Sequence, residues 1–194
     1  MKVLLVRLRL IGDVVFTTPV IRAWNARTGD LVWTFNLIAQ PGDPNHASWE
    51  SDSWKTMDGT NVWGYLTVDV ERGIAYAPVS IAGSDYVGVT RPGNNLYGTS
   101  LVAIDIATGT RKWHQQLVHH DIWDFDLGAH PTLFDVARDG RRIPAVAQVT
   151  KMGLLFIFDR VTGEPIFGME ERPVPQSTVP GEKTSPTQPF PVKP

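Results

Sequence analysis

Residues 103–113 read AIDIATGTRKW, and the pattern returns twice, as AWNARTGDLVW at residues 23–33 and IFDRVTGEPIF at residues 157–167. Each copy has an Asn or Asp, a Thr-Gly beginning three residues later, and an aromatic side chain four residues after the Gly. A short strand, a polar turn closed by Gly and a second short strand ending in an aromatic is how a β-hairpin is written. In an all-β chain, recurrence of one hairpin at a period of about 40–50 residues predicts propeller blades. Gly109 and Gly163 lie 54 residues apart, one decorated blade. Gly29 and Gly109 lie 80 apart, one blade plus the polar insertion QPGDPNHASWESDSWKTMDG at residues 40–59.

Around these hairpins the sequence supplies the other strands. Residues 63–70 and 73–79 alternate as two strands about the turn Glu71-Arg72-Gly73, and residues 101–105 with 111–115 complete a group of four. Residues 134–158 repeat the scheme. The sequence thus predicts an all-β chain of about two to three propeller blades over residues 23–172. Residues 173–194 hold seven prolines in 22 positions and read as an extended loop or linker. Residues 1–22 read differently: a short strand near Lys2 to Leu8, a tight turn at Gly12-Asp13, and a helix from Val14 towards Trp24, a short βα unit. Arg7, Arg9 and Asp13 interrupt the apolar start, so neither an export signal nor a membrane span is expected there.

Composition narrows the partners. The 194 residues are 42% hydrophobic and carry a formal charge of -2 with both signs mixed, which gives no electrostatic reason to expect nucleic acid or an anionic membrane. With no cysteine, disulfides and thiolate metal sites are excluded. The densest chemistry is HHDIWDFD at residues 119–126, two histidines and three carboxylates in eight positions. From the residues alone it is a metal site, a catalytic base with its surroundings, or a wet turn between strands. If the segment is extended, Asp124 and Asp126 share one face and Trp123 and Phe125 the other. Trp33 and Trp113, which end the repeat, are expected to dock blade on blade.

Taken together, the repeat and the motifs WESDSW, GTNVWG, RPGNNLYGTSLVAIDIATG, VHHDIWDFD, AVAQVTKMG, FDRVTGEP and EERPVPQSTVPGEKTSPTQPFP resemble the pyrroloquinoline quinone (PQQ)-dependent dehydrogenases. These are eight-bladed quinoproteins, and the resemblance, from about residue 22 onward, is nearest to their membrane-bound glucose-dehydrogenase-like branch. Residues 1–22, with IGDVVFTTP, resemble instead the start of heptosyltransferase-type glycosyltransferases, where the residue matching Asp13 is the proposed base. The two resemblances together imply a fragment joined to an unrelated start.

The quinoprotein resemblance implies roles. Trp63 matches the tryptophan on which the flat cofactor stacks, Asp124 the base that takes the substrate hydroxyl proton, and Lys151 the lysine that reaches the quinone oxygens. The family also holds Ca²⁺ or a similar divalent ion through oxygen ligands, one of them an Asn where this chain has Ile81, with only Ser80 and Asp124 as nearby oxygens. The metal ligands are therefore unassigned. The implied function is oxidation of a glucose-like sugar or an alcohol by hydride transfer to PQQ, with a quinone electron acceptor, in the periplasm, and little or no activity for this chain alone. The alternatives are a non-catalytic repeat propeller that scaffolds protein partners and a glycosyltransferase remnant.

Overall fold

The computed structural model describes residues 3–6 and 19–192. Its strands are β1 (Val3–Val6), β2 (Val20–Asn25), β3 (Leu31–Asn36), β4 (Thr67–Asp69), β5 (Ile74–Pro78), β6 (Ser100–Asp105), β7 (Arg111–Gln116), β8 (Thr132–Arg138), β9 (Arg141–Val149), β10 (Leu155–Asp159), β11 (Met169–Pro173) and β12 (Thr187–Pro191). They form sheets ordered β1-β2-β3, β4-β5-β6-β7, β10-β9-β8 and β11-β12, and every pairing is antiparallel. The insertion at 40–59 contains short 3-10 turns at His46–Ser48 and Glu50–Lys55.

The repeat explains the turns. Asn25 Oδ1 accepts from the N–H groups of Arg27 at 2.9 Å and Thr28 at 3.3 Å. Asp105 does the same for Ala107 and Thr108, and Asp159 for Val161 and Thr162. In all three copies the Gly N–H donates back to the carbonyl of that Asn or Asp at 2.8 Å. The side chain replaces a missing backbone acceptor, and Gly takes the positive φ that closes the turn.

The same glycines are docking points. A Cβ on Gly109 would lie 2.5 Å from Trp33 Cδ2, and one on Gly163 2.7 Å from Trp113 Cδ2. Trp33 Nε1–H donates to Ile106 O at 2.8 Å, and Trp113 Nε1–H to Arg160 O at 3.2 Å. Each repeat therefore seats its tryptophan on the turn of the next. Phe167, the aromatic of the third copy, instead lies under the Arg138 guanidinium at 5.7 Å. Pro165 reduces its hairpin partner to a single bridge with Phe158, because proline brings no N–H to the ladder.

The two central strands of the four-stranded sheet, β5 and β6, are buried on both faces. Ala77, Val79, Val102 and Ile104 join Ile21, Trp33 and Phe35 in one core, while Ile74, Tyr76, Leu101 and Ala103 join Trp113, Phe156 and Phe158 in another. Successive side chains of a strand point to opposite faces, so the continuously buried runs of β5 and β6 feed two cores at once and require a sheet stacked on each side.

Two sequence expectations change. The end of the helix expected from Val14 towards Trp24 is instead part of strand β2 (Val20–Asn25): Ile21 and Ala23 are buried and Arg22 and Trp24 are not, a period of two. β1 pairs antiparallel with β2, Val3 opposite Asn25, so it extends the first sheet; the Gly12-Asp13 turn lies outside the described residues. The proline-rich end is also not a structureless linker. β12 pairs with β11, Thr184, Ser185 and Gln188 are buried, and the Gln188 and Glu182 side chains bond to the His119 backbone, the His120 ring and the Gly88 N–H, which ties the segment to the sheets despite its prolines.

Candidate functional site

Antiparallel pairing brings the segment before β4, the segment after β5, the connection from β7 to β8 and the β9–β10 turn to one end of two neighbouring sheets. Trp63, Ile81, Asp124, Asp126 and Lys151 come from those four segments. The three residues singled out by sequence, Trp63, Asp124 and Lys151, are brought together there.

Lys151 is the link. Its Nζ donates to the Asp124 carbonyl at 2.8 Å and to Asp124 Oδ1 at 3.1 Å, lies 3.5 Å from Asp126 Oδ2, and stands 5.9 Å from the centre of the Trp63 ring. Burial works against the ammonium, but hydrogen bonding to Asp124 and the charges of Asp126 and Asp124 outweigh it and hold the lysine pKa above its ordinary value. Trp63 is 36% exposed, and its indole N–H donates to Asp126 Oδ2 at 3.0 Å. Asp126 Oδ1 accepts from Ile81 N at 2.7 Å.

The HHDIWDFD segment is not an extended strand. His120 and Asp124 take φ of +43° and +57°, yet the partition expected from alternation survives: both Asp124 and Asp126 reach Lys151, while the Trp123 and Phe125 rings stack at 5.9 Å. Asp121 organises the bend. Its carboxylate accepts from Thr99 Oγ1 at 2.8 Å, Trp123 N at 2.9 Å and Phe125 N at 3.1 Å. Burial pushes the Asp121 pKa up to about 6, against the lowering effect of these hydrogen bonds. Arg91, wholly buried, ties the Asp121 carbonyl to Gly83, Ser84 and Asn95.

The ring nitrogens of the two histidines are bonded to groups other than Asp124. His119 pairs through Nε2 with Glu171 at 3.0 Å and through its backbone with the Gln188 side chain. His120 is held between Gly93 O at 2.7 Å and Glu182 Oε1 at 2.8 Å. Both act on the proline-rich end, so the opening alternatives reduce to a carboxylate and lysine pair inside a structured bend.

Asp85, exposed in the loop that follows Ile81, feels the charges of the site although no sequence pattern marks it. Partial desolvation, then the charges of Asp124 and Asp126, raise its carboxyl pKa. A lone Asp in the loop SIAGSDYVG belongs to no repeat and no spacing pattern, so only proximity reveals it.

The described residues fit one wall of a site for a flat anionic quinone, since a half-exposed indole face and an ammonium close to it are what such a group needs. They do not fit a hard divalent ion by themselves. Both Asp126 oxygens are taken by N–H donors, Ser80 Oγ donates to Gly59 O and accepts from Asn61 N, and the Ile81 side chain is buried and apolar. Among the described residues no group of three or more His, Cys, Asp or Glu side chains could hold a metal.

The chain is 36% identical over 175 residues to the quinoprotein glucose dehydrogenase of Escherichia coli K12, covering 90% of this chain and 22% of that protein. It is 37% identical over 174 residues to the glycerol dehydrogenase large subunit of Gluconobacter oxydans, covering 88% and 23%. The chain thus spans less than a quarter of the length of these curated relatives. The quinohemoprotein alcohol dehydrogenase of Comamonas testosteroni superposes with a TM-score of 0.70 at 26% identity, over 89% of this chain and 27% of that one. The family model for the β-propeller domain of PQQ glucose/ethanol/alcohol dehydrogenases matches residues 13–194, which takes in part of the start set apart on sequence. With the repeat, the stacked sheets and the converging Trp63, Asp124 and Lys151 in place, the chain belongs to this family of PQQ β-propeller dehydrogenases.

Proposed function

We propose that this chain carries one wall of the PQQ site of a dehydrogenase that oxidises a sugar or alcohol hydroxyl. The observation that carries the reading is the meeting of Asp124 with Lys151, 27 positions apart in sequence, beside the half-exposed Trp63. PQQ, when bound, supplies the quinone carbon that accepts hydride. Trp63 offers a rigid aromatic face at little entropic cost. Lys151 places a positive charge where quinone oxygen would gain negative charge. Asp124 is the base: Lys151 occupies Oδ1, leaving Oδ2 to take the hydroxyl proton.

The glucose and glycerol dehydrogenases among the relatives support a polyol or sugar as substrate. We expect this chain alone to bind PQQ without appreciable turnover, since its described residues complete no ligand set for a Lewis-acid metal. The test is to titrate the purified chain with PQQ, follow tryptophan quenching, and then assay dye reduction with glucose, glycerol and ethanol in the presence of Ca²⁺. Saturable quenching that disappears in Trp63→Ala supports the site. Turnover abolished by Asp124→Asn would support the base assignment and overturn the expectation of inactivity. No saturable binding would overturn the functional reading.

A further inference from the structure

The second Asp of WDFD is placed to orient the indole and the lysine together. Asp126 accepts the Trp63 indole N–H at 3.0 Å on one oxygen and the Ile81 N–H at 2.7 Å on the other, with the Lys151 ammonium 3.5 Å away. Its carbonyl accepts from Gly128 N at 3.0 Å, closing a turn whose Gly128 lies against the same indole: a Cβ there would be 2.5 Å from Trp63 Cη2. One turn therefore holds Trp63 by its polar edge and by its ring. We propose that Asp126 is a positioning residue that sets the plane of Trp63 and the placement of Lys151, leaving proton transfer to Asp124. The role of the indole and lysine rests on the PQQ reading above; the clamp itself does not.

The chemistry requires a carboxylate. Both Asp126 oxygens accept from N–H donors, so an isosteric amide, with one acceptor and one donor group, must turn its NH₂ towards one of them. Trp63 and Trp123 provide an internal comparison. They are 36% and 37% exposed, but of the two only the Trp63 indole N–H meets a carboxylate.

The test follows indole N–H resonances of the ¹⁵N-tryptophan-labelled chain, assigned with Trp63→Phe and Trp123→Phe, and needs no cofactor. In the unsubstituted chain the Trp63 N–H should exchange with solvent about tenfold more slowly than that of Trp123, the effect of one charge-assisted hydrogen bond worth about 1.4 kcal/mol. In Asp126→Asn the Trp63 resonance should move and its exchange accelerate, the other indoles staying in place, and the apparent Kd for PQQ should weaken about tenfold. Equal exchange of Trp63 and Trp123 in the unsubstituted chain would overturn the clamp, even if Asp126→Asn does not fold. So would an unmoved Trp63 resonance in the variant, or a uniform change of all indoles, which would mark a general stability role. Failure of the unsubstituted chain to bind PQQ would overturn the functional reading, while the indole exchange still decides the clamp.

Discussion

Gly29, Gly109 and Gly163 occupy one position in the repeat and share nearly the same backbone, with φ of +76°, +73° and +80°, but they differ in what lies above them. A Cβ on Gly29 meets nothing within 4 Å, whereas on Gly109 and Gly163 it would meet a docked indole at 2.5 and 2.7 Å. Alanine at any of the three pays left-handed strain of about 1–2 kcal/mol. At Gly109 and Gly163 it also pushes Trp33 or Trp113 off the turn, an overpacking cost of about 1–3 kcal/mol. The entropy that alanine removes from the unfolded chain is common to all three and cancels in the comparison. Gly109→Ala and Gly163→Ala should therefore unfold at lower urea than Gly29→Ala by a margin of about 2 kcal/mol, or about 4–8 °C in Tm for a chain of this size. Urea titrations with tryptophan fluorescence measure it directly. Equal losses at the three sites would refute the docking of each repeat's tryptophan on the next repeat's glycine.

Two further outcomes follow from buried carboxylates. Glu182, its side chain 3% exposed, is drawn below the ordinary carboxylate range by His120 and by the Gly88 and Lys183 N–H groups, against its own burial. Its stabilisation is therefore present above the unfolded pKa and lost as pH falls through the folded one; Glu182→Ala, which removes the acceptor of the Gly88, Lys183 and His120 hydrogen bonds, should cost about 2–3 kcal/mol at pH 7 by urea titration, and a loss under 1 kcal/mol would count against it. Asp121 has the opposite sign: with its pKa raised from 3.8 to about 6, its contribution is complete below pH 4 and declines as pH rises through 6. The difference in unfolding free energy between the unsubstituted chain and Asp121→Asn should change by about 2–3 kcal/mol between pH 4 and 7, and a pH-independent difference would exclude the burial of Asp121.

How far the sequence reaches is seen by comparing these sites. The three turns were legible because their bonds close within five residues: an Asn or Asp, a Thr-Gly and a following aromatic carry the whole instruction locally. The strands of the four-stranded sheet were equally legible from short apolar runs bounded by turn residues. Trp63, Asp124 and Lys151 could be named only because a resemblance set their order; nothing in their spacing says that they meet.

The partners of the two histidines could not be read. Glu171, on β11, lies 52 positions from His119, and Glu182 lies 62 from His120, in a segment whose prolines read as a linker. Nor does the sequence distinguish Asp124 from Asp126, two carboxylates two residues apart. Sheet stacking delivers the Trp63 indole and the Ile81 N–H to Asp126 and the Lys151 ammonium to Asp124. Local chemistry determined the turns, the strands and the repeat, because those hydrogen bonds span a few residues. The site and its orientation were decided by tertiary structure, because their donors and acceptors are neighbours only after the sheets have packed.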